Sequence, residues 1–183
     1  MAQPSSAVKT MNPSNRRKYE YRRNLPHYQK SDRAHFITFV TREKWILPPN
    51  ARDIVLQSCL HFDSVKLELY VAVVMPEHVH LIFTPLRNES GEEFGLAEIL
   101  NSTNGFSAHA INGQLGRKGS VWLDESFDHV LRSEENLEAK IEYVRQNPVR
   151  RGLVNEPDSY RWLWTESFST QPGTAVPHGF GHN

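Results

Sequence analysis

The chain has 183 residues, 38% of them hydrophobic and 23% charged, and its 21 basic and 21 acidic residues cancel. This excludes a strongly basic, histone-like protein and favours one domain with tails. The single cysteine, Cys59, excludes an intramolecular disulfide framework and paired-cysteine zinc motifs. The longest apolar stretch, Tyr70–Pro76, is far shorter than the roughly 20 residues of a membrane span, and the N-terminus has no apolar signal core. We therefore expect a soluble, cytoplasmic protein.

Charge is concentrated at the N-terminus, where residues 1–35 hold eight basic and two acidic residues and therefore carry +6. Three prolines and few aliphatic residues in this segment favour disorder. We predict a basic disordered arm over residues 1–34, a folded domain over 35–169 and a disordered tail over 170–183. The arm offers five candidate nucleic-acid contacts: Arg16, Arg17, Lys18, Arg22 and Arg23. A tail that only increases solubility is the alternative.

Between the tails, predicted strands and helices alternate. Alternating or β-branched apolar runs predict strands at His35–Thr41, Leu67–Met75, His78–Thr84 and Phe127–Leu131. In the second strand, alternation predicts one face made of Leu67, Leu69, Val71 and Val73. Helical spacing predicts a helix after an N-cap at Asn50, one from Leu96 to about Ile111, and one that begins at Ser133 and ends at Pro148.

This order, β-α-β-β-α-β-α, is typical of a ferredoxin-like α+β fold. We expect an antiparallel sheet with the helices packed on one side of it. That fold is used for many functions, so the function must be argued from individual residues.

Two histidines flank a valine in the third predicted strand. Side chains at i and i+2 of a strand share a face, so His78 and His80 are predicted to converge. Neutral imidazoles are good ligands for divalent metals, and histidines are costly in an apolar strand unless they are paired or functional. Two hydrogen-bonded histidines on an exposed face are the alternative.

The last predicted helix carries Tyr143 about 100° outside its apolar stripe of Leu137, Ile141 and Val144. Asn147 follows one turn later, although the proline after it disfavours helical backbone there. A tyrosine can act as a covalent nucleophile, and a nearby cation eases attack on a phosphate. The side-chain oxygen of Asn147 could complete a site for Mg²⁺ or Mn²⁺. A surface tyrosine with no chemical role is the alternative.

Basic and aromatic side chains surround this helix. The basic residues could line a phosphate track or could be ordinary solvated charges: Arg132, Lys140, Arg145, Arg150 and Arg151. Among the aromatics Trp122, Phe127, Trp162 and Trp164, we place Phe127 in the core.

Three segments together resemble a known family. The segment Met75–Phe83 (MPEHVHLIF) resembles the HUH motif of single-tyrosine transposases. The segment Glu142–Val154 (EYVRQNPVRRGLV) is similar to the tyrosine helix of the REP-associated tyrosine transposases, and Trp122–Arg132 resembles the part that precedes it. The resemblance covers about residues 35–169.

The resemblance implies a bacterial enzyme that cleaves and transfers single-stranded DNA at palindromic hairpin repeats. Tyr143 matches the nucleophile that joins to a 5′ phosphate and leaves a free 3′ hydroxyl, while His78, His80 and Asn147 match the metal ligands. The implied partners are DNA hairpins, with the protein acting as a monomer or a homodimer.

Two other functions stay open. The domain could bind hairpins without cutting them, since a basic arm and aromatic side chains suffice for that. It could also be a metal hydrolase in which Tyr143 is incidental. The only carboxylate close to the histidines is Glu77, and strand alternation would direct it to the opposite face.

Overall fold

The computed structural model describes residues 33–131 and 134–166. The predicted C-terminal tail lies outside these residues, as do Arg132 and the five basic residues of the arm. The described residues contain five strands: β1 (His35–Thr41), β2 (Leu67–Val74), β3 (His78–Pro85), β4 (Trp122–Val130) and β5 (Leu163–Thr165). The helices are α1 (Pro49–His61), α2 (Leu96–Leu115), α3 (Glu134–Arg145) and the short α4 (Asn147–Arg150). None of the helices in the described ranges is long and apolar enough to cross a membrane.

The strands form one sheet in the order β4-β1-β3-β2-β5, with every neighbouring pair antiparallel. The first four strands have the order of a ferredoxin-like sheet, which confirms the predicted fold class. β5 pairs with β2 at the far edge and was not predicted, because three residues are too few for a visible alternation.

Helices cover both faces of the sheet, so the prediction that they pack on one side is wrong. One core contains α1, α2 and the inward side chains Ile37, Phe39 and Leu81 of the central strands. The second core lies on the opposite face, where Ile141 and Val144 of α3 pack with sheet residues that include Phe36, Val71, Val73 and Ile82. The apolar stripe of α3 explains this arrangement, since it must be buried against a surface that α1 and α2 leave free.

A β-bulge at Tyr70 divides β2 between these two cores. The pairing register of β2 with β3 shifts between Leu69 and Val71. Leu67 and Leu69 therefore lie in the first core, while Val71 and Val73 lie in the second. The prediction of one continuous face is wrong because an extra residue in a strand reverses the alternation after it.

Prolines also change two predicted helix boundaries. Pro48 is the N-cap of α1 and Pro49 its first residue, where a missing N–H costs nothing, so Asn50 is not the cap. Pro148 likewise lies in the first turn of α4 instead of ending the helical region, and Asn147 is helical despite preceding it. The chain thus passes from α3 into α4 through Gln146 alone.

Candidate active site

The histidine pair, His78 and His80, stands at the start of β3 on the face covered by α3. Their ring centroids are 4.7 Å apart, and both side chains are half-buried. The turn before β3 is anchored to β1, since the Thr41 N–H donates to the Glu77 carbonyl at 2.9 Å. The predicted convergence of the two imidazoles is therefore present in the structure.

Burial keeps both imidazoles in the neutral form. Burial, with a smaller contribution from the charges of His78, Lys140 and Arg150, lowers the pKa of His80 to about 3. Burial also lowers the pKa of His78 from its ordinary value, although the Glu77 carboxylate opposes this. At neutral pH the pair thus presents nitrogen lone pairs, which is the form that binds a metal.

One nitrogen of His80 is already occupied. Its Nδ1 lies 2.7 Å from Oγ1 of Thr38, the residue directly opposite it on β1. When Nδ1 carries the proton and donates it to Thr38, Nε2 presents its lone pair away from the sheet partner. Thr38 therefore holds the ring orientation of this candidate ligand.

Glu77 lies beside the histidine pair, contrary to the sequence-based expectation. β3 begins only at His78, so strand alternation does not apply to Glu77, and its Oε1 is 3.6 Å from Nδ1 of His78. The same Oε1 accepts a hydrogen bond from the Arg151 guanidinium. Oε2 is buried without a hydrogen-bond partner. A cationic group bound near the histidines fits this unpaired oxygen.

Tyr143 projects from α3 on the same face as the histidine pair. Its side chain is 46% exposed, and its ring meets Phe36 edge-on at a centroid distance of 6.4 Å. Lys140 Nζ lies 4.8 Å and Arg150 Cζ 4.2 Å from the centroid of the tyrosine ring. Arg150 also donates to the Tyr143 carbonyl at 2.6 Å. The phenol is thus open to solvent and flanked by two positive charges.

Phe36 connects the tyrosine to the histidines. This buried side chain of β1 has its ring centroid 5.4 Å from that of His80 and 6.4 Å from that of Tyr143. Lys140 Nζ lies over its ring at 4.4 Å. Three elements, β1, β3 and α3, therefore contribute side chains to one continuous cluster.

Asn147 is buried at the start of α4, and its Nδ2 donates to the Tyr143 carbonyl at 3.4 Å. Asn147 and Arg151 are four residues apart and share one side of this turn, and Arg151 reaches Glu77. Within the described residues no cluster of three or more His, Cys, Asp or Glu side chains could hold a metal. A third protein ligand beside the pair would thus be of another type, and an amide oxygen such as that of Asn147 fits.

The basic residues predicted to contact DNA differ in whether a carboxylate already binds them. Lys140 and Arg150 lie at the tyrosine ring. Arg145 is engaged by two carboxylates, Glu142 at 3.1 Å and Asp158 at 2.7 Å, and Arg151 is engaged by Glu77.

The core assignment of Phe127 is wrong, because its side chain is 61% exposed on β4. Trp122 takes the core position instead. It is buried, its ring meets Phe39 at 4.7 Å, and its Nε1 donates to Ser107 at 3.0 Å.

Comparison with known proteins gives a consistent result. No family model matches the chain. A protein of Haemophilus influenzae, inferred to be a REP-associated tyrosine transposase, is 22% identical over 140 residues, which span 72% of this chain and 75% of that protein. The solved structure of a REP-associated tyrosine transposase bound to a REP hairpin has a TM-score of 0.62 and 18% identity, covering 76% of this chain and 81% of that one. The chain resembles the REP-associated tyrosine transposases. The resemblance that the histidine and tyrosine segments indicated is thereby confirmed.

Sequence reasoning missed two residues around the motifs of this transposase family and misplaced a third. Phe36 and Thr38 contact the histidines or the tyrosine and lie outside the motif segments, whereas Glu77 lies within Met75–Phe83 but was expected on the opposite face. A usable signal exists only for Thr38: pairing β1 with β3 in register puts it directly opposite His80. A single sequence does not give that register.

Proposed function

We propose that this chain is a REP-associated tyrosine transposase that cleaves single-stranded DNA next to a palindromic hairpin and joins the 5′ phosphate to Tyr143. The observation that carries the proposal is the cluster in which Tyr143 and His80 both contact Phe36 on one face of the sheet. The motifs are thus close in space as well as correctly ordered in the chain. Sequence similarity and a shared fold support the same assignment.

The exposed phenol of Tyr143 suits it to act as the nucleophile. Its oxygen attacks the phosphorus while the phenol proton passes to solvent, and the 3′ oxygen of the cleaved strand leaves and takes up a proton from solvent to become a hydroxyl. Transfer is the reverse displacement, in which a 3′ hydroxyl attacks the phosphotyrosine and the phenol leaves. Each step exchanges one phosphodiester for another, so no external energy source is needed.

Lys140 and Arg150 are the side chains best placed to bind the attacked phosphate. Both lie within 5 Å of the tyrosine ring centroid. Positive groups fixed beside a phosphate stabilise the charge that develops on its oxygens. The other proposed DNA contacts are Arg145, Arg151, Arg132 and the arm residues Arg16, Arg17, Lys18, Arg22 and Arg23.

The histidine pair and Asn147 would hold a divalent metal, Mg²⁺ or Mn²⁺. Neutral imidazoles and the amide oxygen of Asn147 are ligand types that such an ion accepts. When bound, the metal polarises the phosphate and screens its negative charge. Thr38 and Glu77 contact the Nδ1 atoms of His80 and His78, respectively, and so orient the two imidazoles.

A DNA hairpin is the proposed partner, because the solved relative is bound to a REP hairpin. We propose a monomer or a homodimer acting in the cytoplasm.

The test is a denaturing gel. Wild-type protein is mixed with a labelled hairpin library in Mg²⁺ or in EDTA, beside the variants Tyr143→Phe and Tyr70→Phe. We expect a covalent protein–DNA band that needs Mg²⁺ and is absent in Tyr143→Phe. Tyr70→Phe should behave as wild type, because the Tyr70 hydroxyl is already bonded to Glu68 and Thr84.

Other outcomes separate the remaining functions. Cleavage that persists in Tyr143→Phe without an adduct would support a metal hydrolase. Hairpin retention on a filter with no cleavage by the wild-type protein would support a binding module. An adduct formed by Tyr143→Phe at the wild-type rate would contradict the role of Tyr143.

A further inference from the structure

Phe127 is an exposed aromatic side chain on the edge strand β4, with 61% of its surface open to solvent. Single exposed apolar residues are common on proteins, so exposure alone assigns it no role. Its position does. Phe127 is the residue directly opposite Thr38 on β1, and Thr38 is bonded to His80. Because directly paired residues share a face, Phe127 lies on the face of the active site.

The rings of this face form a row. Phe127 meets Phe36 edge-on at 6.5 Å, and Phe36 meets Tyr143 edge-on at 6.4 Å. Phe36 is buried, whereas the two outer rings are exposed. A ligand on this surface therefore meets the phenol at one end and an open phenyl ring at the other.

Charge differs between the two ends of the row. Lys140 and Arg150 stand at the tyrosine end. On β4 the side chain two residues before Phe127, which shares its face by alternation, is the exposed acid Glu125. The tyrosine end thus favours a phosphate, and the phenylalanine end disfavours one. A nucleotide offers the matching pair of groups, an anionic phosphate and an uncharged base with a flat π face.

We propose that Phe127 is the stacking platform for an unpaired base of the nucleotide that flanks the phosphate attacked by Tyr143. The inference rests on the proposed function, since it requires single-stranded DNA at the tyrosine. A phenyl ring stacks on any base, so Phe127 fixes the position of the strand and does not read its sequence.

Photocrosslinking tests the platform directly. The probe is a hairpin library whose single-stranded flanks carry 5-iododeoxyuridine, mixed in EDTA with Tyr143→Phe protein so that no chemical adduct forms. We expect irradiation to link the probe to a peptide that contains Phe127. Adding Phe127→Ala should remove that link and weaken binding about 5- to 150-fold, the range for one base–aromatic stack. Phe127→Trp should restore the affinity.

Phe106→Ala is the matched control. Phe106 is 52% exposed, but it stacks on His61 beside the first core, away from the tyrosine. Its removal should leave probe binding unchanged, and thermal melting should show that both alanine variants are folded. Crosslinks only at other residues, no crosslink at all, or wild-type affinity in Phe127→Ala would each overturn the inference.

The outcome is distinguishable from that of the proposed function, which is read from the Tyr143 adduct on unmodified DNA. An adduct without a Phe127 crosslink removes the platform and keeps the chemistry. A Phe127 crosslink without any adduct keeps a base-stacking site and removes the cleavage.

Discussion

Glu77 contacts both the histidine pair and Arg151, the residue that follows α4. Its Oε1 lies 3.6 Å from Nδ1 of His78 and also binds Arg151, which follows α4. Carboxylates behind a metal-binding imidazole fix its orientation and raise its basicity. The expected role of Glu77 is therefore to position His78.

Glu77→Gln should weaken Mn²⁺ binding about 10- to 100-fold, the usual effect of losing such a partner. Titration calorimetry of the DNA-free protein measures this independently of cleavage. Glu98→Gln is the control, because Glu98 pairs with Lys66 on the exposed side of α2. Equal Mn²⁺ affinity in wild type and Glu77→Gln would refute the positioning role.

Individual residues also show which features of the site can be predicted from the sequence and which cannot. His78 and His80 were predicted to converge because strand alternation is local. Phe127 was misplaced because phenylalanine side chains are usually buried, and only the sheet order reveals that β4 is an edge. The metal role of Asn147 stays a prediction.

At the scale of elements, α3 is held on the sheet by a narrow apolar stripe. Ile141 and Val144 are buried against β1, β2 and β3, while the adjoining Tyr143 is half exposed. The position of Tyr143, the proposed nucleophile, therefore depends on the packing of two aliphatic side chains.

Ile141→Ala should lower the free energy of unfolding by about 2–4 kcal/mol through lost burial and a cavity. Urea titration measures this value, and hydrogen exchange should show greater loss of protection in α3 than in β1. Ile46→Ala is the control. Because Ile46 is 61% exposed, its truncation should lower the free energy of unfolding by less than about 0.5 kcal/mol. A similar small cost for Ile141→Ala would contradict the packing described.

Element prediction succeeded where periodicity is long and failed at local irregularities. The sequence predicted β1 to the residue, and β3 with one residue missing. The face of β2 was wrong after Tyr70 because a bulge leaves no trace in a strand that is apolar on both sides. The start of β4 at Trp122 was missed because its residues Asp124, Glu125 and Ser126 resemble a loop.

For the whole molecule, the reactivity of the buried Cys59 thiol measures unfolding of the domain. Cys59 is the only cysteine of the chain and lies in the first core, where burial raises its thiol pKa to about 12. In the unfolded chain the thiol ionises near pH 9. Because the thiol ionises more readily in the unfolded chain than in the fold, its ionisation favours unfolding. This effect lowers the stability of the fold as the pH rises from about 9 towards 12.

We expect Cys59 in the native protein to resist iodoacetamide at pH 9 and to react quickly once urea unfolds the chain. Mass spectrometry of the alkylated fraction against urea concentration should follow the unfolding curve measured by circular dichroism. Fast labelling without urea would show that α1 opens locally.

The edge strand β4 has a further consequence for how the protein behaves at high concentration. An edge strand presents backbone groups that could pair with another copy, and a chain with zero net charge has no overall repulsion to prevent this. The exposed carboxylate of Glu125 lies on that edge, where a second copy paired against it would meet a negative charge. Resistance to association at this edge is thus local, and removing the charge of Glu125 by Glu125→Gln should promote strand-to-strand association.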